Sequence, residues 1–432
     1  MTLTADAVVI GCGVVGASVA LSLRRSGRSV VVLDKGGAPG HGSTSASSAI
    51  VRFNYSTWAG VATSWESRFR WEAWEDHLGF RDPAGLARFE RRGMVFLDTD
   101  ALPRDRMSAL FRRAGIPFEE WDARALAARV PGIDAGRYHP PKAISDPAFF
   151  DDAAGSLGAV FTPDAGFVDD PQLAAANLAR AAEALGARLL LRRTVTQVER
   201  VGQTWRVVLS DDDVVEAPVV VNAAGPWSGA VNRLAEIGDD FTISVTPLRQ
   251  EVHHVPRLTG PSAATMPVVS DVDLGTYLRP DATGGLLVGS TEPECDPLEW
   301  LSDPDAADPR PTLDRFEAQV WRAARRLPDL AVPSRPSGVA GVYDAASDWT
   351  PIYDRTAAPG FYVAMGTSGN QFKNAPLVGD LMTTLIDAVE AGHDHDADPV
   401  VLVAPHTGHR IDLGAFSRRR EVNADSSGTV VG

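Results

Sequence analysis

The segment Gly11-Cys12-Gly13-Val14-Val15-Gly16 constrains this chain more than any other feature. An apolar run, Ala7-Val8-Val9-Ile10, precedes it, and an Ala/Leu-rich helical stretch follows to Arg25, closed by Gly27. Ser29–Leu33 then reads as a second buried strand ending on Asp34. With 39 glycines in 432 residues, three at this spacing should arise by chance roughly 0.3 times, so the context must carry the reading. A strand before, a helix after and an acid closing the next strand make a βαβ unit with a dinucleotide fingerprint. Gly11 and Gly13 let backbone amides approach a pyrophosphate, which the helix N-terminus meets with partial positive charge. Gly16 permits close helix–strand packing. Asp34 lies 23 residues beyond Gly11, near the roughly 20 expected of a ribose-binding carboxylate.

Further along, the pattern interleaves. A Gly/Ser-rich loop (36–48) leads to a Trp-rich helical segment from Trp58 to Leu78. Asp170 suits a helix N-cap, Pro171 its first position and Gly186 the residue past its end. Strands follow at 188–191, 205–209, 214–215 and 219–221, the last running into Asn222-Ala223-Ala224-Gly225-Pro226-Trp227. Residues 243–295 alternate like an antiparallel sheet, and helical periodicity returns over 313–327. A short strand at 361–364 leads to Gly366-Thr367-Ser368-Gly369-Asn370-Gln371-Phe372-Lys373, after which Pro376 opens an amphipathic helix. Residues 1–80, 166–240 and 341–395 group as a nucleotide-binding domain. Residues 81–165 and 241–340 group as a second domain, and 396–432 as a C-terminal extension with a frayed polar end over 417–432.

Composition removes several function classes. A formal net charge of −15 repels phosphate backbones and argues against nucleic-acid binding. No apolar run approaches the 18 residues of a spanning helix. Asp6 and the glycines at 11, 13 and 16 exclude a signal-peptide reading of the start, so a cytoplasmic location is expected. Two cysteines, Cys12 and Cys295, support neither a disulfide framework nor a Cys-rich zinc site. The run His393-Asp394-His395-Asp396 reads as a solvated linker, so no metal site is expected.

NAD and FAD share the first fingerprint. Three further stretches discriminate: 43–52 (Ser-Thr-Ser-Ala-Ser-Ser-Ala-Ile-Val-Arg), the strand ending Val-Asn-Ala-Ala-Gly-Pro-Trp, and the late Gly-Thr-Ser-Gly-Asn-Gln-Phe-Lys. Together and in this order, from residue 6 to about 391, they resemble the D-amino-acid-oxidase-like flavoproteins, in particular the glycine oxidase and sarcosine oxidase branch. The resemblance implies an α/β fold: a Rossmann-type FAD-binding domain of the glutathione-reductase-like kind, interleaved with an antiparallel-sheet α+β substrate domain. It implies FAD held by Gly11, Gly13, Val14, Val15, Gly16 and Lys35, with Asp34 at the adenosine ribose and Val195 at the adenine. Ser43, Thr44 and Ser48 would lie along the ribityl chain and pyrophosphate, and Ala224-Gly225 beneath the cofactor. Gly366, Ser368 and Gly369 would sit at the pyrimidine edge of the flavin, with Asn370, also at the cofactor, shaping the pocket floor.

For the substrate, the resemblance assigns Arg52 and Lys373 to a carboxylate clamp and Tyr55 and Tyr277 to the pocket wall. The physics agrees, because an anionic substrate of a −15 protein needs a local cationic site, and Arg can hold a carboxylate bidentately. The activity implied is oxidation of the C–N bond of a small or medium amino acid (N-alkyl, glycine-like or D-) by hydride transfer to flavin N5, with oxygen or an electron carrier as acceptor. Gly341 stands where relatives carry a flavin-tethering cysteine, so non-covalent FAD is expected, with His41 as the alternative tether. Leu287 stands where oxidases place an oxygen-activating lysine, which favours a dehydrogenase. A flavin-dependent 2-hydroxy-acid dehydrogenase using His253 or His254 as base, and a non-catalytic flavoprotein, remain alternatives; a nicotinamide-dependent reductase lacks a second fingerprint. Otherwise His253 or His254 reads as a satisfied core histidine, and the Trp58–Trp74 aromatics as packing beneath the second domain.

Overall fold

The computed structural model describes residues 1–100, 103–256, 265–281 and 284–432; the stretches of the expected second domain at 101–102, 257–264 and 282–283 lie outside them. Among the described residues, the expected βαβ start is the centre of a six-stranded sheet. Its order is Arg188–Leu191, Val30–Asp34, Ala7–Ile10, Val219–Asn222, Phe361–Met365 and Ile352–Arg355. All neighbours pair in parallel except the last two, which are antiparallel. Ala7–Ile10 is buried along its whole length, which is why its four residues are all apolar rather than alternating.

The helix Val14–Arg25 covers one face of this sheet and packs between the helices Pro171–Ala184 and Ala375–Glu390. That explains its uninterrupted apolar and small residues from Val14 to Leu23, all buried. Two glycines make the turn into it possible. Gly11 has φ +107° and a Cβ there would meet the Ala223 carbonyl oxygen at 2.3 Å, while a Cβ on Gly16 would fall 2.0 Å from the Gly11 oxygen. The cap expected at 170 is present: the Asp170 carboxylate accepts from the Leu173 amide at 2.9 Å, and Gly186 takes φ +93°.

The second large sheet, of nine strands among the described residues, is built on the long strand Val245–Val255, flanked by Leu286–Ser290 and Gly338–Ala346. It is antiparallel as expected, with one departure. Val268–Asp271 pairs in parallel with Met94–Leu97, the junction that joins the 81–165 and 241–340 segments into one sheet. No hairpin connects those two strands, so nothing local imposes an antiparallel pairing. Gly338–Ala346 belongs to this sheet through its last residue, pairing Ala346 with Val245.

Three expectations need correction. The polar stretch 417–432 is not frayed. Arg418, 1% exposed, pairs with Asp240, Asp354 and Asp396, Arg420 pairs with Asp348, and Val431 is buried. Its polar residues meet buried acids, so polarity was a poor guide to exposure. The 393–396 run is solvated only in part: Asp394 and Asp396 are exposed, but His395 is buried and its Nδ1 accepts from the Val400 amide at 2.9 Å. No cluster that could hold a metal occurs among the described residues. Finally, the tryptophans pack mainly against the nucleotide-binding half. Trp71 and Trp74 stack at 4.5 Å, and Trp71 also stacks on Phe372 at 5.3 Å.

Candidate active site

A cavity of about 510 Å³ runs from the glycine turn of the six-stranded sheet to the edge of the nine-stranded one, within the range of small-molecule sites. At one end it is lined by Gly11, Gly13, Val14, Val15, Asp34, Lys35, Val195, Ala224 and Gly225. The first turn of the helix Val14–Arg25 faces it with amides that have no intrahelical acceptor. Thr44 Oγ1 takes the Val14 amide at 3.1 Å. Asp34 accepts from the Cys12 and Gly36 amides, each at 2.6 Å, and a carboxylate has lone pairs left for a hydroxyl donor. Lys35 is engaged by Asp305 and lies over the Trp227 ring at 4.1 Å. Gly16 does not reach the cavity wall; its role is the close packing behind the turn.

The middle of the cavity is walled by Ser43, Thr44, Ser47 and Ser48 on one side and Val342, Tyr343 and Asp344 on the other. Ser43 donates to the Val342 carbonyl, and Ser48 shares a 2.6 Å hydrogen bond with the Tyr277 hydroxyl. Gly369 and Asn370 line the cavity, whereas Gly366 and Ser368 stand behind its wall. Ser368 is fully buried, accepts from the Ala346 amide at 3.0 Å and donates to the Gly366 oxygen at 3.1 Å. These two residues shape the loop instead of facing a ligand. A Cβ on Gly369 would penetrate the Tyr343 ring, so that position admits only glycine.

At the far end the two predicted cations converge on one cavity. Arg52 is 7% exposed and Lys373 4%, and both line it. Among the described residues neither lies within ion-pair distance of a carboxylate. Arg52 donates to the Asn54 carbonyl and, at 2.6 Å, to the Val430 carbonyl. Lys373 donates to the Asn370 carbonyl and, at 3.2 Å, to the Tyr55 hydroxyl. Burial lowers the pKa of both, and the charge on Arg52 lowers Lys373 further. Two desolvated cations facing one space form a seat for an anion. Tyr55 is not part of the wall but ties the pair together: its hydroxyl donates to the Asn370 carbonyl at 2.6 Å and its ring lies 5.0 Å from the Arg52 guanidinium. Burial pushes Tyr55 and Tyr277 up to about 12, so both hydroxyls stay protonated.

The tryptophan helix has a part here that the sequence did not reveal. Trp71 Nε1 and Ser67 Oγ each donate to the Lys373 carbonyl at 2.8 Å, fixing the turn that carries the lysine. Glu292 was also missed, since Thr-Glu-Pro after a strand reads as an ordinary turn. It is buried with φ +51°, and burial pushes its carboxyl up to about 8, opposed by the Val430 amide and Arg52.

Other candidates are placed elsewhere. His253 is fully buried; neither ring nitrogen makes a hydrogen bond among the described residues, and Nε2 lies 3.5 Å from Glu251 Oε2, so it is a core histidine paired only loosely. Burial lowers its pKa to about 4. His254 pairs with Asp281 at 2.7 Å. Neither lines the cavity, and neither do Leu287, Gly341 or Cys295; His41 does.

A chain with this sheet order, a glycine turn feeding one cavity and a buried cationic end is a flavin-type dinucleotide-binding oxidoreductase. The family model for FAD-dependent oxidoreductases matches residues 6–385, and the chain belongs to that family, with FAD as cofactor. It is 26% identical to a glycine oxidase of Geobacillus kaustophilus over 401 residues, covering 91% of this chain and 96% of that one. It is 32% identical over 189 residues to the FAD-dependent oxidoreductase domain-containing protein 1 of Bos taurus, covering 40% of this chain. The matched region spans about 36% of that relative's length. The solved structure of an L-proline dehydrogenase from P. horikoshii superposes with a TM-score of 0.74 at 21% identity, over 97% of this chain and 98% of that one. No helix among the described residues is long and apolar enough to cross a membrane.

Proposed function

We propose that this enzyme oxidises the C–N bond of a small or medium amino acid whose carboxylate is held by Arg52 and Lys373. One observation carries the reading: two cations, each more than nine-tenths buried, face a single cavity without a carboxylate partner among the described residues. An anionic ligand offsets their desolvation. The likeness to a glycine oxidase supports an amino acid as that ligand.

The glycine-turn end would take the dinucleotide portion of FAD, through the helix amides, Asp34, Ser43, Thr44 and Ser48, with Val195 beside the adenine. Lys35, Ala224 and Gly225 complete that wall, and Gly369 and Asn370 stand nearer the cations. Bound FAD supplies a hydride acceptor. Arg52 and Lys373 orient the substrate by its carboxylate, so that the adjacent carbon faces the cofactor. The Ser48–Tyr277 pair and Tyr343 close the wall and limit water. The reacting amine must be neutral, and an α-amino group has a pKa of about 8, so its proton leaves to solvent before a hydride departs with the C–H bonding pair. The resulting imine then takes up water and releases the amine. Non-covalent FAD fits Cys295 lying off the cavity lining and Gly341 offering no side chain; His41, which does line the cavity, is the alternative tether. Electrons pass to oxygen or to a carrier. Residues 1–80, 166–240 and 341–395 would hold the cofactor, the first and last of them also supplying Arg52 and Lys373 to the substrate, and 81–165 and 241–340 would complete the substrate end.

Anaerobic mixing with an amino acid and with its 2-hydroxy counterpart tests the reading. Bleaching of the flavin band by the amino acid alone is expected. Bleaching by the hydroxy acid alone, or by neither across a panel of N-methyl and free amino acids, overturns it.

A further inference from the structure

The segment 424–432 does more than cover the cavity. Val430 and Val431 line it, and the backbone of Val430 bridges Arg52 and Glu292. Its carbonyl accepts from Arg52 Nη2 at 2.6 Å, and its amide donates to Glu292 Oε2 at 2.8 Å. The N–Cα–C–O framework of one residue is that of a free α-amino acid. The carbonyl oxygen therefore stands in for a substrate carboxylate oxygen, and the amide nitrogen for a substrate amine. The Val430 side chain packs beside Tyr343 against Leu248, Ala345 and Trp349, an aliphatic and aromatic surround that suits a small branched side chain.

Apart from the buried Val431 side chain, the segment and the residue before it are held by ordinary surface contacts. Asp425 pairs with Arg106 at 2.5 Å, with side chains 60% and 44% exposed, and Asn423 Nδ2 donates to Ser56 Oγ at 3.0 Å. Exposed pairs of this kind are worth ~1 kcal/mol or less, so these polar anchors are releasable. A tethered segment is present at an effective concentration in the millimolar range and so competes with free ligand.

Resting on the amino-acid reading of the cavity, we propose that residues 424–432 are a built-in competitor for the substrate seat, with Val430 occupying the place of an α-amino acid bearing a small apolar side chain. The substrate carboxylate takes Arg52 in place of the Val430 carbonyl, and the substrate amine takes Glu292 in place of the Val430 amide.

The test compares the FAD-loaded full chain with a chain lacking residues 424–432. The first probe is isovalerate, which has the side chain and carboxylate of valine but no C–N bond to oxidise; binding is read from the shift of the flavin absorption band. The shortened chain is expected to bind it at least ~10-fold more tightly, and a synthetic peptide of residues 424–432 should return the affinity toward that of the full chain by competition. Equal affinities, or a peptide that does not compete, overturn the proposal. Should the shortened chain fold poorly, V430P removes the amide donor from an otherwise intact chain and is expected to shift affinity the same way; an unchanged affinity there overturns it equally. In the shortened chain, E292Q is expected to weaken valine at least ~10-fold and leave isovalerate unchanged, whereas equal loss of both removes Glu292 from the seat. Valine that displaces isovalerate without bleaching flavin sinks the oxidation reading and leaves the competitor standing. Valine that bleaches flavin with the same concentration dependence in both chains does the reverse.

Discussion

The two ends of the cavity are built in different ways. The glycine-turn end is made of backbone: amides at the start of one helix, close approaches that only glycine permits, and an acid at the tip of the next strand. Its turn, helix start and acid come from the first 48 residues, with Val195, Ala224 and Gly225 completing the wall. The cationic end is made of side chains from distant parts of the sequence, Arg52, Tyr277, Glu292, Tyr343 and Lys373, with Val430 laid across it. A backbone-built site tolerates no added atom, whereas a side-chain-built site tolerates changes of shape but not of charge. Substitutions at the two ends should therefore fail in distinguishable ways.

The largest effect is expected at the turn. G16A places a methyl 2.0 Å from the Gly11 oxygen, a backbone atom that cannot swing aside. Overpacking of this kind costs about 1–3 kcal/mol or more. The purified variant should carry less than a tenth of the normal flavin, read from the ratio of flavin to protein absorbance. Full flavin content would mean that the turn is not under the constraint described.

Next in size, R52M and K373M should each lower kcat/KM for an amino acid by about 10²–10³-fold, the loss typical of removing one charge from a desolvated pair. Flavin content should stay normal. Loss of flavin together with activity would erase the distinction between the ends. Without substrate, each variant should be at least as stable to urea as the parent, because a buried cation lacking a carboxylate partner has been removed.

Glu292 predicts a pH signature. Its carboxyl is raised from the ordinary 4.5 to about 8 by burial, so the folded state holds its proton more tightly than the unfolded chain does. The stability tied to that proton is fully present below about pH 4.5 and is lost as pH rises through about 8. E292Q should remove this slope, gaining on the parent in urea denaturation across that window. Parallel profiles would place Glu292 in water.

The smallest effect is expected at Trp71. W71F keeps the ring stack but removes the Nε1 donor to the Lys373 carbonyl at 2.8 Å, worth about 1 kcal/mol. It should raise KM for an amino acid a few-fold with little change in kcat. Equal loss in both would mean that the indole does more than hold the turn.

This contrast also explains what could be read from the sequence. Gly11, Gly13, Asp34 and the Asp170 cap were legible because local spacing alone determines where a backbone turns. Arg52 and Lys373 were legible only through resemblance, since nothing local distinguishes them from surface charges. Glu292, Tyr343 and Val430 were not legible, because each gains its place from tertiary contacts across more than 50 residues. The same blindness turned 417–432 into an expected frayed end. Arg418 reads as surface until Asp354 is placed beside it. His253 and the tryptophan helix erred in smaller ways, since burial could be inferred from pattern but hydrogen-bond partners could not.

The central claim is that Arg52 and Lys373 seat a carboxylate, and the most direct measurement pairs an amino acid with the amine left when that carboxylate is removed. Rates of anaerobic flavin reduction by the two at equal concentration should differ at least ~100-fold in favour of the amino acid, and the difference should vanish in R52M. Equal rates in the parent enzyme would contradict the account.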